Sequence, residues 1–162
     1  MAVNRLPPNT ATDTWLTPPE LLKALGKFDM DPCCPLNMPW VTASIMVSLP
    51  EDGLSVKWRG RVWCNPPFSK PLKWVEKMAD HGNGILLLPA KSPETKWGQK
   101  ALSTADCVLF QAGRLLFHYI DGSKSTGKWS PYMLCAYGKK NVGVLTKVSK
   151  GLVSPGICLV KA

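Results

Sequence analysis

Histidine is scarce in this chain of 162 residues, with only His81 and His118, and none of its six cysteines (Cys33, Cys34, Cys64, Cys107, Cys135, Cys158) forms a C-x-x-C pair. Zinc needs a cluster of such ligands at fixed spacing, so no metal is expected and the cysteines read as small core hydrophobes. Also missing is any apolar run of the ~18–20 residues that would span a bilayer, or a basic amphipathic helix, which excludes a membrane partner at this level. The opening Met1-Ala2-Val3-Asn4-Arg5-Leu6-Pro7-Pro8 has no apolar core of signal-peptide length, so a cytoplasmic protein with reduced thiols is expected. Acidic residues are few: 11 Asp and Glu against 20 Lys and Arg leave a net charge of +9. That excess suits a partner rich in phosphate. The length fits one domain with a full core and leaves no room for a separate recognition domain.

Residues 1–12 are expected to be a mobile arm, and residues 13–162 a single domain. Thr17-Pro18-Pro19-Glu20 predicts a helix start, with Thr17 as N-cap and Glu20 completing a capping box, and Gly26 closes that helix after Leu25. Phe28-Asp29-Met30-Asp31 reads as a strand ending at a carboxylate, and residues 41–49 carry a strand-like alternation at Ile45, Val47 and Leu49. Residues 60–64 form a strand, Pro71 starts a helix with apolar Leu72, Val75 and Met78, and Gly82 or Gly84 stops it. The unbroken apolar run Ile85-Leu86-Leu87-Leu88 marks a central strand covered on both faces. Ser92-Pro93-Glu94 caps a further helix to about Leu102, and Cys107-Val108-Leu109-Phe110 is the next strand. The alternation predicts an α/β sheet, mostly parallel. Residues 114–119 and 131–137 flank a polar loop and predict an antiparallel hairpin at the sheet edge. The segments 142–148 and 152–160 are candidates for additional edge strands.

The feature that bears most on chemistry is Asn65-Pro66-Pro67-Phe68, directly after the strand Arg61-Val62-Trp63-Cys64. Two consecutive prolines lock two φ angles and remove two donors, so the turn is stiff and presents acceptors. Such a turn suits an amine, with the Asn65 side-chain oxygen and the Pro66 carbonyl each accepting from an –NH₂ group. Phe68 offers a flat face for a base.

Asn-Pro-Pro-Phe is similar to the catalytic motif of S-adenosylmethionine-dependent amino methyltransferases. With it stand Asp13-Thr14-Trp15-Leu16-Thr17-Pro18-Pro19, Phe28-Asp29-Met30-Asp31-Pro32-Cys33, Glu51-Asp52-Gly53-Leu54, Leu86-Leu87-Leu88-Pro89-Ala90 and Gly113-Arg114-Leu115-Leu116-Phe117. In this order and spacing the chain resembles the phage-type DNA N-6-adenine methyltransferases over residues 13–137, and residues 138–162 are not covered. The resemblance implies a class I, Rossmann-like methyltransferase sheet, S-adenosylmethionine as cofactor, double-stranded DNA as partner, and a phage or prophage enzyme in a bacterial host, monomeric or homodimeric. Catalysis then falls to Asn65, Pro66, Pro67 and Phe68. Asp31, Pro32 and Cys33 become the loop around the cofactor's methionine half, with Trp15, Thr17 and Pro18 close by, and Asp52 the partner of its adenosine half. An Asx turn before Pro32 and an ordinary turn at Asp52 are the alternative roles. The first strand is followed by Pro32-Cys33-Cys34-Pro35 where many amino methyltransferases have glycines.

Candidates for the DNA side are Lys91, Trp97, Arg114, Phe117, Lys124 and Lys128, although Phe117 fits an inward strand position equally well. Gly122-Ser123-Lys124-Ser125-Thr126-Gly127-Lys128 spells G-x-x-x-x-G-K, yet Trp129 stands where a phosphate-binding loop needs Ser or Thr, and no helix is expected to follow. The expected reaction is direct methyl transfer to the 6-amino group of a flipped adenine. The alternatives are methylation of an RNA base or a protein amide nitrogen, or an inactive DNA-binding relative.

Overall fold

The computed structural model describes residues 13–126, 131–151 and 153–162, and the arm expected over residues 1–12 lies outside them. Among the described residues, helix α1 (Pro19–Leu25) leads to the short strands β1 (Met30–Asp31), β2 (Ile45–Met46) and β3 (Val62–Cys64). Helix α2 (Leu72–His81), strand β4 (Gly84–Pro89), helix α3 (Lys96–Thr104) and strand β5 (Cys107–Gln111) follow, then strand β6 (Tyr132–Tyr137), helix α4 (Lys139–Val148) and strand β7 (Gly156–Val160). The seven strands form one sheet in the order β2-β1-β3-β4-β6-β5-β7. Strands β1 to β4 pair in parallel, whereas β6 is antiparallel to both β4 and β5, and β7 antiparallel to β5. A mixed α/β sheet is thus observed.

Strand periodicity explains how two cores arise. Trp63, Ile85 and Leu87 point to the face covered by α1 and α4, while Val62, Cys64, Leu86 and Leu88 point to the face covered by α2 and α3. All six residues of β4 are buried, as its continuous apolar run requires. Helix α2 buries Trp74, Val75 and Met78 and ends where Gly82 adopts φ 70°, its N–H bonding the Met78 carbonyl at 2.9 Å. All six cysteines are free, and four of them are buried in or beside these cores.

Several local expectations are corrected. Pro18, not Thr17, is the N-cap of α1, and no side chain caps it, so the Thr17–Glu20 capping box does not form. Thr95 rather than Ser92 caps α3, its side chain accepting from the Gly98 N–H. The strand expected over residues 41–49 shrinks to Ile45–Met46 because this edge pairs only with the two residues of β1. Residues 131–137 are no edge hairpin arm. They supply β6, inserted between β4 and β5, where its six side chains are all buried. Residues 114–119 instead pair outside the sheet, Leu16 exchanging two 3.0 Å backbone bonds with His118, and the Ser125 N–H reaching the Phe117 carbonyl at 2.9 Å. Residues 142–148 belong to α4, whereas β7 does add an edge strand within 152–160.

Candidate active site

Strands β1 and β3 are neighbours, yet the chain leaves β1 for β2 on one side and returns to β3 on the other. A crevice forms beyond the carboxyl ends at such a reversal. Here it brings the residues after Asp31 beside those after Cys64. The cleft has a volume of about 220 Å³ and is lined by Trp15, Pro32, Cys33, Asp52, Asn65 and Pro67, all nominated from sequence, together with Asp13, Glu51 and Trp74. Pro66 is buried and does not line it.

Asn65 is held in one orientation. Its Nδ2 donates to the Trp15 carbonyl at 2.7 Å and to Thr17 Oγ1 at 3.2 Å. A carbonyl can only accept, so the amide nitrogen must face Trp15, and the acceptor Oδ1 is the group left for a ligand. The other end of the turn is clamped too. Asp13 Oδ1 accepts from the Phe68 N–H at 3.2 Å, and Asp13 Oδ2 accepts from the Ser69 hydroxyl. Residues 13–17 therefore stitch along the Asn-Pro-Pro-Phe turn. Thr17, foreseen as a helix cap, is 2% exposed and serves the turn instead.

Asp31 lies behind Pro32 and Cys33 and is 3% exposed. Its carboxylate accepts from Thr42 Oγ1 at 2.6 Å and from the Cys33 N–H at 3.0 Å, which is an Asx turn. Burial outweighs these bonds and pushes the Asp31 carboxyl up to about 6. Burial also holds the Cys33 thiol far above its usual value and pushes Cys34 up to about 12, so neither cysteine at the cleft is a ready thiolate. Asp52 is exposed, its oxygens accepting from the Leu54 N–H and the Ser55 hydroxyl, each at 2.9 Å, and these bonds lower its pKa. Gly53 explains how the two loops meet: a Cβ there would fall 1.7 Å from the Pro32 carbonyl oxygen. Only glycine allows that approach.

Phe68 is half-buried, its ring tilted against Tyr132 at 5.7 Å and edge-on to Phe117 at 6.5 Å. Phe117 is 0% exposed. It backs the Phe68 ring rather than lining an open base pocket, because it packs into the core, its ring centre 4.6 Å from that of Tyr132. A sequence model of the family described as DNA N-6-adenine-methyltransferase (Dam) matches residues 6–151.

The chain belongs to this DNA N-6-adenine-methyltransferase family. It is 29% identical over 128 residues to the DNA N-6-adenine-methyltransferase of Escherichia phage T1, covering 72% of this chain and 52% of that protein. The chain thus spans about half the length of that relative. No solved structure matches it. The other described residues nominated for the DNA side of this family member do not line the cleft. Lys91, Arg114 and Lys124 are exposed, Trp97 packs half-buried against the core beneath α3, and Lys128 falls outside the described residues. The described part of the segment that spells a phosphate-binding loop forms no helix and turns back through Gly122, whose N–H bonds the Tyr119 carbonyl at 2.8 Å. Among the described residues no group of three His, Cys, Asp or Glu could hold a metal, and no helix is long and apolar enough to cross a membrane.

Sequence reasoning missed Asp13, Thr42, Tyr132 and Glu51 as parts of the site. Asp13 stood inside a quoted motif, but nothing in its spacing announces a partner at residues 68–69. Tyr132, 4% exposed, carried only the signal of heading an apolar strand.

Proposed function

We propose that this protein is an S-adenosylmethionine-dependent enzyme that methylates the 6-amino group of adenine in DNA, built on a class I methyltransferase sheet. The observation that carries the proposal is the orientation of Asn65, whose amide hydrogens are both committed to residues 15 and 17 while its oxygen remains as an acceptor in the cleft. The insertion of β6 antiparallel between β4 and β5, beside a parallel set, supports the fold assignment.

The cleft fits the cofactor chemically. Asp31 is a buried carboxylate with no cation paired to it among the described residues, and a positively charged ligand beside Pro32 and Cys33 would relieve its desolvation. Glu51 and Asp52 offer carboxylate acceptors for ribose hydroxyls at the cleft wall, and Trp15 an aromatic surface. When bound, S-adenosylmethionine supplies an electrophilic methyl group on a sulfonium. Asn65 Oδ1 accepts an amino hydrogen of the base and turns the nitrogen lone pair toward that methyl. Asn65 takes no proton, and the alkylated nitrogen releases its own to water. An adenine inside a duplex must be flipped out, at about a few kcal/mol. Stacking on Phe68, which Phe117 and Tyr132 hold in place, returns roughly 1–3 kcal/mol.

The test is nucleoside mass spectrometry of adenine-unmethylated plasmid after incubation with the protein and S-adenosylmethionine. Formation of 6-methyladenine by the native chain, and at least 100-fold less by Asn65→Ala, is expected. Equal activity in the variant would remove Asn65 from catalysis, and methylation of RNA or a protein amide instead of DNA would reassign the substrate.

A further inference from the structure

The net charge is not spread along the chain. Asp121 is the last acidic residue, and residues 122–162 hold seven lysines. The thirteen basic and eleven acidic residues before that point are nearly balanced, so most of the +9 lies in the final quarter of the chain. Helix α4 gathers it. Lys139, Lys140 and Lys147 are exposed along the helix, and exposed Lys150 follows in the turn. Successive helical residues rotate by about 100°, which puts these four on the side opposite the buried Asn141, Leu145 and Val148.

This stripe is electrostatically unfavourable in the isolated chain. Lys139 and Lys140 occupy the first turn, where the helix dipole disfavours cations, and no acidic residue accompanies them there. The nearest carboxylate in the hydrogen-bond network is Asp106, which accepts from the Gly138 N–H at 2.6 Å. Lys147 and Lys150, three residues apart, are like charges on one face. A polyanion would offset all of this. A membrane surface is disfavoured because the apolar side of α4 faces the core, and no large hydrophobic residue of α4 is among the exposed ones in the described residues.

The stripe also reaches the correct end of the sheet. β5 runs in the same direction as β3, so Ala112 lies at the end that carries Asn65. The Ala112 N–H bonds the Pro155 carbonyl at 2.7 Å, and the Gly156 N–H bonds the Ser149 carbonyl at 3.1 Å, which ties the Lys147–Lys150 end of α4 to residue 112 at that end of the sheet. From Lys139 to Lys150 the stripe is roughly 16 Å long at about 1.5 Å per residue. That matches about five base pairs of duplex at roughly 3.4 Å each.

We infer that the outer face of α4 is a phosphate-binding surface for duplex DNA flanking the methylation site, separate from the cleft. The inference rests on DNA being the substrate. Its role is affinity without sequence reading, since lysine–phosphate contacts position a duplex and do not distinguish bases.

The test compares the native protein with the quadruple variant Lys139→Gln, Lys140→Gln, Lys147→Gln, Lys150→Gln, and with the four-fold Lys→Arg variant. Fluorescence anisotropy with a 30-base-pair duplex of arbitrary sequence is measured across a salt series, alongside calorimetric titration with S-adenosylmethionine and thermal unfolding. The Gln variant should lose about 3 to 4 from the slope of log affinity against log salt, at about 0.9 per phosphate contact, and bind at least tenfold more weakly near ~0.1 M salt. Cofactor affinity should not change, and the Arg variant should behave as native. Should the Gln variant misfold, single Lys→Gln changes, each lowering the slope by about 1, carry the same test. Native slope and affinity in the Gln variants would overturn the inference, as would lysine-dependent binding to phosphatidylserine vesicles with DNA binding unaffected. A native protein that binds duplex through these lysines yet forms no 6-methyladenine would sink the proposed function and leave this surface standing. Methylation with an unaltered slope would do the reverse.

Discussion

Thr17 shows how one hydroxyl can fix the orientation of a distant amide. By accepting from Asn65 Nδ2, together with the Trp15 carbonyl, it prevents the amide from turning its nitrogen outward. Thr17→Val keeps the shape and deletes the acceptor. We expect kcat to fall about tenfold, equivalent to the roughly 1.4 kcal/mol of one hydrogen bond, with cofactor affinity unchanged and activity restored in Thr17→Ser. Steady-state kinetics over both substrates checks this. Asp31 gives a pH signature. Its carboxyl is raised from 3.8 to about 6 by burial, so across that window the folded chain binds more protons here than the unfolded one. The stabilising contribution is complete below pH 3.8 and is lost as pH rises through about 6, on the order of 3 kcal/mol in all. Asp31→Asn should therefore raise the melting temperature at pH 7.5 and not at pH 3.5, read by thermal unfolding at both values. A cationic cofactor reverses the sign, so its affinity for the native chain should increase as pH rises through about 6.

Elements whose stability comes from their own pattern are those that sequence reading recovers well. The apolar run of β4 and the amphipathic spacing of α2 each demand one environment, and each is found in it. Leu87→Ala, at a fully buried position of β4, should lower unfolding stability by about 2–5 kcal/mol in denaturant titration, with the size set by how far the cavity collapses. Elements defined by a partner were illegible. β6 carries the same apolar signature whether it lies at an edge or between two strands, and only its ladder with β4 and β5 places it in the sheet interior. Residues 142–148 hold Val142, Val144, Leu145 and Val148, which suit a strand in isolation, but helix α4 buries Leu145 and Val148 on one side.

At the scale of the whole molecule, one buried cation ties the layers together. Arg61, at the start of β3, donates through Nε to Asn141 Oδ1 at 2.6 Å and through its terminal nitrogens to the Lys27 and Leu25 carbonyls at 2.8 and 2.9 Å. It also lies 4.1 Å from the centre of the Phe28 ring. α1, β3 and α4 thus share one guanidinium, which satisfies carbonyls at the end of α1. The sheet's far edge is less protected. β7 carries no charge within its five residues, and Ile157, Leu159 and Val160 are 69%, 57% and 56% exposed. Uncharged apolar edges invite pairing with other chains. Ile157→Lys is expected to raise the protein concentration at which light scattering appears, with the melting temperature altered by no more than about 0.5 kcal/mol equivalent.

The sequence alone determined a set of local features: a rigid Asn-Pro-Pro-Phe turn after a strand, a carboxylate ending an earlier strand, a strongly basic chain and a motif order that resembles one family. These are local properties, written in proline's fixed φ, in side-chain donors and acceptors, and in net charge. The tertiary structure decided how these groups are oriented. Asn65 shows an oxygen because residues 15 and 17 arrive from 50 and 48 positions away, and Asp13 clamps Phe68 and Ser69 across 55 and 56. Phe117 withdraws from the surface because it packs into the core against Tyr132, fifteen positions further along the chain. Long-range pairing and burial have no signature in a window of neighbouring residues, so they became visible only once the sheet brought β1 and β3 side by side.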